Sequence, residues 1–336
     1  MRFIHLADLH LADNLKLDNE IGSIVRENTW KSFENILNSN KDADFALIAG
    51  DLFERNFFSS KDFRRLFEII EAFGKDVYYV TGNHDYFDDF NTTFLNYKPD
   101  NLNIFTKDTL SLFEKDGLRV YGLSYKDRIY KRDFPYDLSL DHDFTNILLA
   151  HGDISQNPTN YLDLVPRKLK TLGFDYVALG HIHKAGNKEN SYYPGSIEPL
   201  DFGHLGDYGY IVYDNGEVSH INSSLMKFYE FDIYGEDFSD SNELINYINK
   251  NLGQKVNFVR ITINGDHDLN LRQVKNGISA KRLIVKENSS DNLKDIVNLY
   301  PNSLLSEFAK KFDEKNDDAH QRAYEIGVNA ILRSKK

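Results

Sequence analysis

The sequence predicts an α/β fold in two domains, and three observations point to it. Apolar runs of strand length alternate with helical patterns between residues 2 and 82. Several later runs are apolar at nearly every position, as expected of strands covered on both faces. With 336 residues the chain is long for one hydrophobic core, and its pattern changes character near residue 226.

The elements follow in order. "RFIHL", residues 2–6, reads as a short strand. "SIVRENTWKSFENILNSN" carries Ile24, Trp30, Phe33, Ile36 and Leu37 at helical spacing. "DFALIAG" is the next strand, and "KDFRRLFEIIEAFG" is helical again, with Gly74 as its C-cap. "VYYVTG" is the third strand. "LRVYGLSY", "TNILLAHG", "DYVALGHI" and "YGYIVYD" are later strand candidates. "KFYEFDIYG" and "NFVRITING" flank the helical "NELINYINKNL", and "KRLIVKE" adds one more strand. Residues 1–226 therefore read as the main domain, 227–302 as a smaller α/β domain, and 303–336 as a helical segment. In that last segment Leu304, Leu305, Phe308, Phe312, Tyr324, Val328, Ile331 and Leu332 form an apolar stripe. Packing on its own domain is the default for such a stripe; a partner-binding face is the alternative.

Composition narrows the function. There are no cysteines, which excludes disulfides, thiolate metal sites and a cysteine nucleophile. A reducing cytoplasm fits. The N-terminus "MRFIHLADLH" lacks the long apolar core of a signal peptide, and no run approaches the length of a membrane span. A net charge of −12 argues against a generic basic nucleic-acid binder. It leaves room for a local basic patch, or for metal ions that supply the positive charge.

The histidines and carboxylates are ordered along the chain. "LADLH" places Asp8 and His10 just past the first strand, and "AGDLF" places Asp51 past the second. "TGNHD" places Asn83, His84 and Asp85 past the third. "LLAHGD" and "ALGHIH" place His151, His181 and His183 past two later strands. Ligands of an open α/β sheet bind outside the carboxyl ends of its strands, so these motifs should converge on one rim. Imidazole, carboxylate and amide donors without sulfur suit Mn, Fe or Zn. A carboxylate shared by two ions holds them about 3.5–4 Å apart, a spacing fit for in-line displacement at phosphorus. A lone G-D or H-x-H is more often a cap or a core feature; the full ordered set is specific. His5, His142, His204, His220, His267 and His320 lie outside the motifs and default to structural or surface roles.

With these motifs the sequence resembles the calcineurin-like metallophosphoesterases. More narrowly it resembles the SbcD-type DNA repair nucleases, which work with SbcC-type coiled-coil ATPases. "MRFIHLADLHLADN" and "YYPGSIEPLDFGHLGDYGYIVYD" carry the narrower likeness, which covers about residues 1–225. It implies a β-sandwich flanked by helices, a small α/β capping domain and a helical C-terminal tail. Asp8, His10 and His183 would bind one ion, Asn83, His151 and His181 the other, and Asp51 would bridge them. His84 would sit over the scissile phosphate and protonate the leaving oxygen, help typically worth about 10²–10⁴-fold. Two divalent ions, manganese by preference, a DNA substrate, an ATPase partner and a homodimer are implied with it.

Some readings stay open. The resembling nucleases vary at Glu54, and related phosphatases pair an acidic residue there with the G-N-H histidine. Glu54 then orients His84 and favours its charged form; the alternative is a helix-entry carboxylate turned to solvent. "YKDRIYKR" offers Arg128, Lys131 and Arg132, with Lys126, to a phosphate backbone, or is a solvated loop. Arg55, Arg64 and Arg65 are further candidates. Phe57, Phe58, Phe63 and Phe67 belong to the core or to a dimer face. A DNA exonuclease and endonuclease of end processing and double-strand-break repair leads. A phosphodiesterase of nucleotides or small diesters, and a DNA-end-binding scaffold for an ATPase, are the competitors. The protein phosphatase patterns G-D-x-V-D-R-G and G-N-H-E are absent.

Overall fold

The computed structural model describes residues 1–13, 19–87, 95–130, 132–154, 159–288, 297, 299–312 and 318–334. Lys131 and the side chain of Phe312 lie outside what is described. The chain forms two compact units, Met1–Lys227 and Phe228–Lys336.

In the first unit β1 (Arg2–Leu6), β2 (Phe45–Ala49), β3 (Asp76–Val80) and β4 (Leu102–Ile104) lie side by side in parallel. A second sheet is built on β5 (Ser111–Lys115), β6 (Leu118–Gly122), β7 (Thr145–Asp153), β8 (Leu162–Asp163), β9 (Tyr176–Gly180), β10 (Gly186–Lys188) and β11 (Ser191–Tyr193). The chain then returns to the first sheet, where β12 (Gly209–Asp214) pairs antiparallel with β1 and β13 (Glu217–Asn222) forms the edge.

The period-two direction of strand side chains explains why two sheets are needed. Along β1, Phe3 and Ala7 face the second sheet, while Ile4 and Leu6 face the helices. Phe3, Phe45, Leu47, Tyr78 and Val80 of the first sheet pack on Val120, Ile147, Leu149, Tyr176 and Ala178 of the second. The outer face of the first sheet is covered by α1 (Asn19–Ser39) and α2 (Ser60–Phe73) through Trp30, Phe33, Leu37, Phe63, Leu66 and Ile70. The outer face of the second takes Leu169 of α3 (Pro166–Leu172) against Leu148, Val177 and Leu179. Runs such as "FALIA" are buried at every position because both faces are covered. His5 is a core histidine, with Nδ1 3.0 Å from the Tyr176 hydroxyl.

The β-sandwich flanked by helices is present, so the motif-bearing strands are divided between two sheets and do not share one open sheet: β1, β2 and β3 lie in one, β7 and β9 in the other. Their carboxyl ends nonetheless meet, and the Ala49 carbonyl at the end of β2 lies 2.9 Å from His151 Nδ1 on β7. Gly74 caps α2 in the left-handed region, with φ 72° and its N–H bonded to the Glu71 carbonyl. Ser59 and Asp62 form a reciprocal cap at its start. α3 is too short to show a helical period, although Pro166 at its first turn and Gly173 past its end mark it. β5 is equally faint in the sequence, with no fully buried residue along it.

The second unit has a sheet of β14 (Met226–Tyr234), β15 (Val256–Asn264) and β16 (Arg282–Asn288), the last two parallel. α4 (Ser241–Asn251) and α5 (Leu271–Gly277) set Leu244, Ile248 and Val274 on Val259, Ile261 and Ile263. In α6 (Leu304–Phe312) and α7 (Asp318–Arg333) the apolar stripe packs one helix on the other through Leu305, Ala309 and Val328. Among the described residues no helix is long and apolar enough to cross a membrane.

Glu198, in "PGSIEP", is buried, and it ties the end of the first unit down. Its carboxylate accepts the Ser32 hydroxyl and the backbone N–H groups of Leu225 and Met226. Glu198→Ala strands those donors and is expected to cost about 3 kcal/mol of stability. Urea unfolding checks this, and a loss under about 1 kcal/mol would mean the donors find other partners.

Candidate metal centre

The site grows out of the loops at the strand ends. After β1 and β2 the two loops run together: Asp8 N–H donates to the Gly50 carbonyl at 3.1 Å, and His10 N–H to the Asp51 carbonyl at 3.0 Å. Asp8, His10, Asp51 and His181 all have positive φ, at 52°, 47°, 48° and 105°. That is uncommon for residues other than glycine and stores strain of order 1–3 kcal/mol each. Two motif glycines are required by close approach. A Cβ on Gly50, itself at φ 84°, would lie 2.4 Å from His151 Nδ1, and one on Gly82 would lie 2.4 Å from Asp51 Oδ1.

The side chains of all five motifs meet. His10 Nε2 is 3.1 Å from His183 Nε2 and 3.9 Å from Asp51 Oδ2. His151 Nε2 is 3.4 Å from Asp51 Oδ2 and 3.0 Å from Asn83 Oδ1. Asp8, His10 and His183 can bring one donor atom each within 4.8 Å of one another, and so can Asp8, Asp51 and His151. His181 stands beside His151, ring centroids 5.3 Å apart, and its N–H donates to the Asp8 carboxylate at 3.0 Å.

This arrangement fits cations. The Ala49 carbonyl can only accept, so His151 Nδ1 carries the proton and donates to it. His151 Nε2 then aims a lone pair at two oxygens, Asn83 Oδ1 and Asp51 Oδ2, with no proton between them. Burial holds His151 and His183 neutral, at about 3, and His181 at about 4. Burial raises Asp8, Asp51 and Asp85, and the Asp51 charge pushes Asp8 and Asp85 further up. A cation placed among these groups relieves both the lone-pair repulsion and the crowding of carboxylates.

Asp85 has a different task. It is fully buried and accepts N–H bonds from Leu52 at 2.6 Å, Gly82 at 2.6 Å and Asp51 at 3.3 Å, and the Tyr79 hydroxyl at 2.6 Å. It thereby ties the loop after β2 to the loop after β3. Asp51 in turn accepts the His84 N–H at 2.8 Å.

Glu54 is turned inward and not to solvent, with Oε2 2.5 Å from His84 Nδ1. Burial opposes a charge on His84, but the Glu54 hydrogen bond and the Asp51, Glu54 and Asp85 charges outweigh it and raise the ring to about 9. In the metal-free chain His84 is therefore an imidazolium at neutral pH.

His84 borders a cleft of about 520 Å³, together with His10, Glu54, Arg55, Asn56, Phe57, Asn83, Tyr86, Arg128, His183 and His204. Of the basic candidates, Arg55 and Arg128 line it. Arg132 is bonded to Asp108 at 2.7 Å, and Arg65 pairs with Glu27 and lies over Trp30. Arg64 lines a separate groove with Tyr97 and Pro99, and Lys126 lies over the Phe87 ring.

His204 is the residue that sequence reasoning missed. Its Nε2 is 3.3 Å from His183 Nδ1, and its Nδ1 accepts the Leu200 N–H at 3.2 Å. It belongs to "PLDFGHLGDYGY", a stretch already noted for its family likeness but without a strand-end pattern to mark the histidine. With Nδ1 accepting, a neutral His204 carries its proton at Nε2 and donates it to His183 Nδ1, a contact that fixes the orientation of the His183 ring. His204→Ala is expected to weaken Mn²⁺ binding by about tenfold in calorimetric titration, and His204→Gln to recover part of it. Equal affinity in all three proteins would reduce the contact to simple packing.

The family model for calcineurin-like phosphoesterases matches residues 1–185. The uncharacterized metallophosphoesterase YhaO of Bacillus subtilis is 31% identical over 245 residues, which is 66% of this chain. The matched stretch spans 59% of that relative's length. Among solved structures, a dimetal phosphatase from Danio rerio aligns with a TM-score of 0.42 and 11% identity, over 63% of this chain and 91% of its own. A protein of unknown function from Aquifex aeolicus aligns with a TM-score of 0.26 and 17% identity, over 56% of this chain and 82% of its own. The chain belongs to the calcineurin-like phosphoesterase family.

Proposed function

We propose that the chain is a metal-dependent phosphodiesterase acting on DNA, of the SbcD type and working with an SbcC-type ATPase. One observation carries the hydrolytic part of this reading. Lone pairs and carboxylates from two sheets converge beside a histidine that Glu54 holds at 2.5 Å and that opens on a cleft. The choice of DNA rests on the family-like stretches 1–14 and 192–214, and on Arg55 and Arg128 in the cleft wall.

Asp8, His10 and His183 would hold one ion, Asn83, His151 and His181 the second, and Asp51 would touch both. Divalent ions there, Mn²⁺ in this reading, supply Lewis-acid stabilisation of charge on the phosphoryl oxygens and make an attacking water more acidic. The chain's own groups do the rest. Arg55 and Arg128 attract and orient the phosphate. His84, placed by its own N–H on Asp51 and by Glu54 at Nδ1, offers its remaining ring nitrogen to the leaving oxygen. Glu54 fixes the ring plane and favours the proton-donating form.

The net charge of −12 favours a second reading, a small diester in place of a polyanion. Labelled DNA with defined ends, and a chromogenic diester, incubated with Mn²⁺ and with chelator, separate the two. DNA cleavage that chelator abolishes is expected, and diester turnover without DNA cleavage selects the second reading. In the same assay Glu54→Gln is expected to lower turnover by about 10²-fold, with Mn²⁺ affinity retained. Unchanged turnover removes Glu54 from the proton transfer.

A further inference from the structure

"FERNFFSS" holds two adjacent phenylalanines with opposite fates. Phe58 is 3% exposed and stacks on Phe53 with ring centroids 4.4 Å apart. Phe57 is 49% exposed and borders the cleft beside His84. The core therefore has no need of its ring.

The position of Phe57 is fixed by the groups that place His84. Its N–H closes a turn on the Glu54 carbonyl at 3.0 Å, and Glu54 holds His84. Arg55 N–H donates to the His84 carbonyl at 3.2 Å. The Arg55 guanidinium lies 4.1 Å over the Tyr86 ring and donates to its hydroxyl at 2.6 Å. One short turn thus carries an aromatic ring and a cation that both line the cleft His84 borders. The cleft, about 520 Å³, has room for a nucleotide unit beyond the phosphate itself.

We propose that Phe57 is a stacking platform for the nucleobase next to the scissile phosphate, with Arg55 on that nucleotide's backbone. Stacking on an aromatic ring accepts any base, because every base offers a π face. The turn thereby favours substrates in which that base leaves its neighbours. This rests on the reading of the substrate as DNA.

The test compares wild type, Phe57→Ala and Phe57→Trp on a short oligonucleotide. A second oligonucleotide carries an abasic residue on either side of the cleaved linkage. Phe57→Ala is expected to raise KM about tenfold on the intact strand, and Phe57→Trp to keep it low. The abasic strand is expected to raise the wild-type KM by a similar factor, with Phe57→Ala adding nothing further to it. An unchanged melting temperature shows that the variants are folded. Equal KM for wild type and Phe57→Ala on the intact strand, or the same penalty on intact and abasic strands, overturns the platform while leaving DNA as substrate. A wild-type protein that hydrolyses a chromogenic diester but no DNA overturns both.

Discussion

The buried carboxylate of Asp85 sets the geometry on which the site depends. Three backbone N–H groups from two loops, and the phenol of Tyr79 on β3, point at it. Two of those N–H groups belong to Asp51 and Leu52, so the residue proposed to join two ions is placed by a group that lies outside the proposed ligand set. The order then propagates through hydrogen bonds. Asp51 takes the His84 N–H, Glu54 takes the His84 ring, and the Glu54 turn sets Arg55 and Phe57. Buried acceptors of this kind are costly unless satisfied, and here each neighbour supplies a donor.

The two sheets explain how so many acceptors reach one place. Within each sheet the motif strands are parallel, so their loops leave at the same end. Packing the sheets face to face brings those ends together, and Gly50 and Gly82 leave room for His151 and Asp51 to approach. The left-handed backbone at Asp8, His10, Asp51 and His181 is the local cost of turning side chains into that space. The strands that carry it are buried on both faces, which gives the rigidity that such strain needs.

Much of this was legible in the sequence. The strand-end motifs named Asp8, His10, Asp51, Asn83, His84, His151, His181 and His183, and the structure brings them together. Chain order showed which strands carry donors but not which sheet each joins; period and apolarity are the same for both. Asp85 was visible beside His84 yet had no distinct signature, because its partners are backbone groups of distant loops. His204 was hidden for a similar reason. Its partner His183 is 21 positions away, with the two short strands β10 and β11 between them. For Phe57 and Phe58 the sequence offered two identical residues, and only the turn after Glu54 decides which one enters the core.

Low-temperature electron paramagnetic resonance of the metal-free chain, titrated with Mn²⁺, tests the shared role proposed for Asp51 most directly. Two ions per chain with a spin-coupled signal are expected. A single ion, or two that remain magnetically independent, would contradict a carboxylate that joins them.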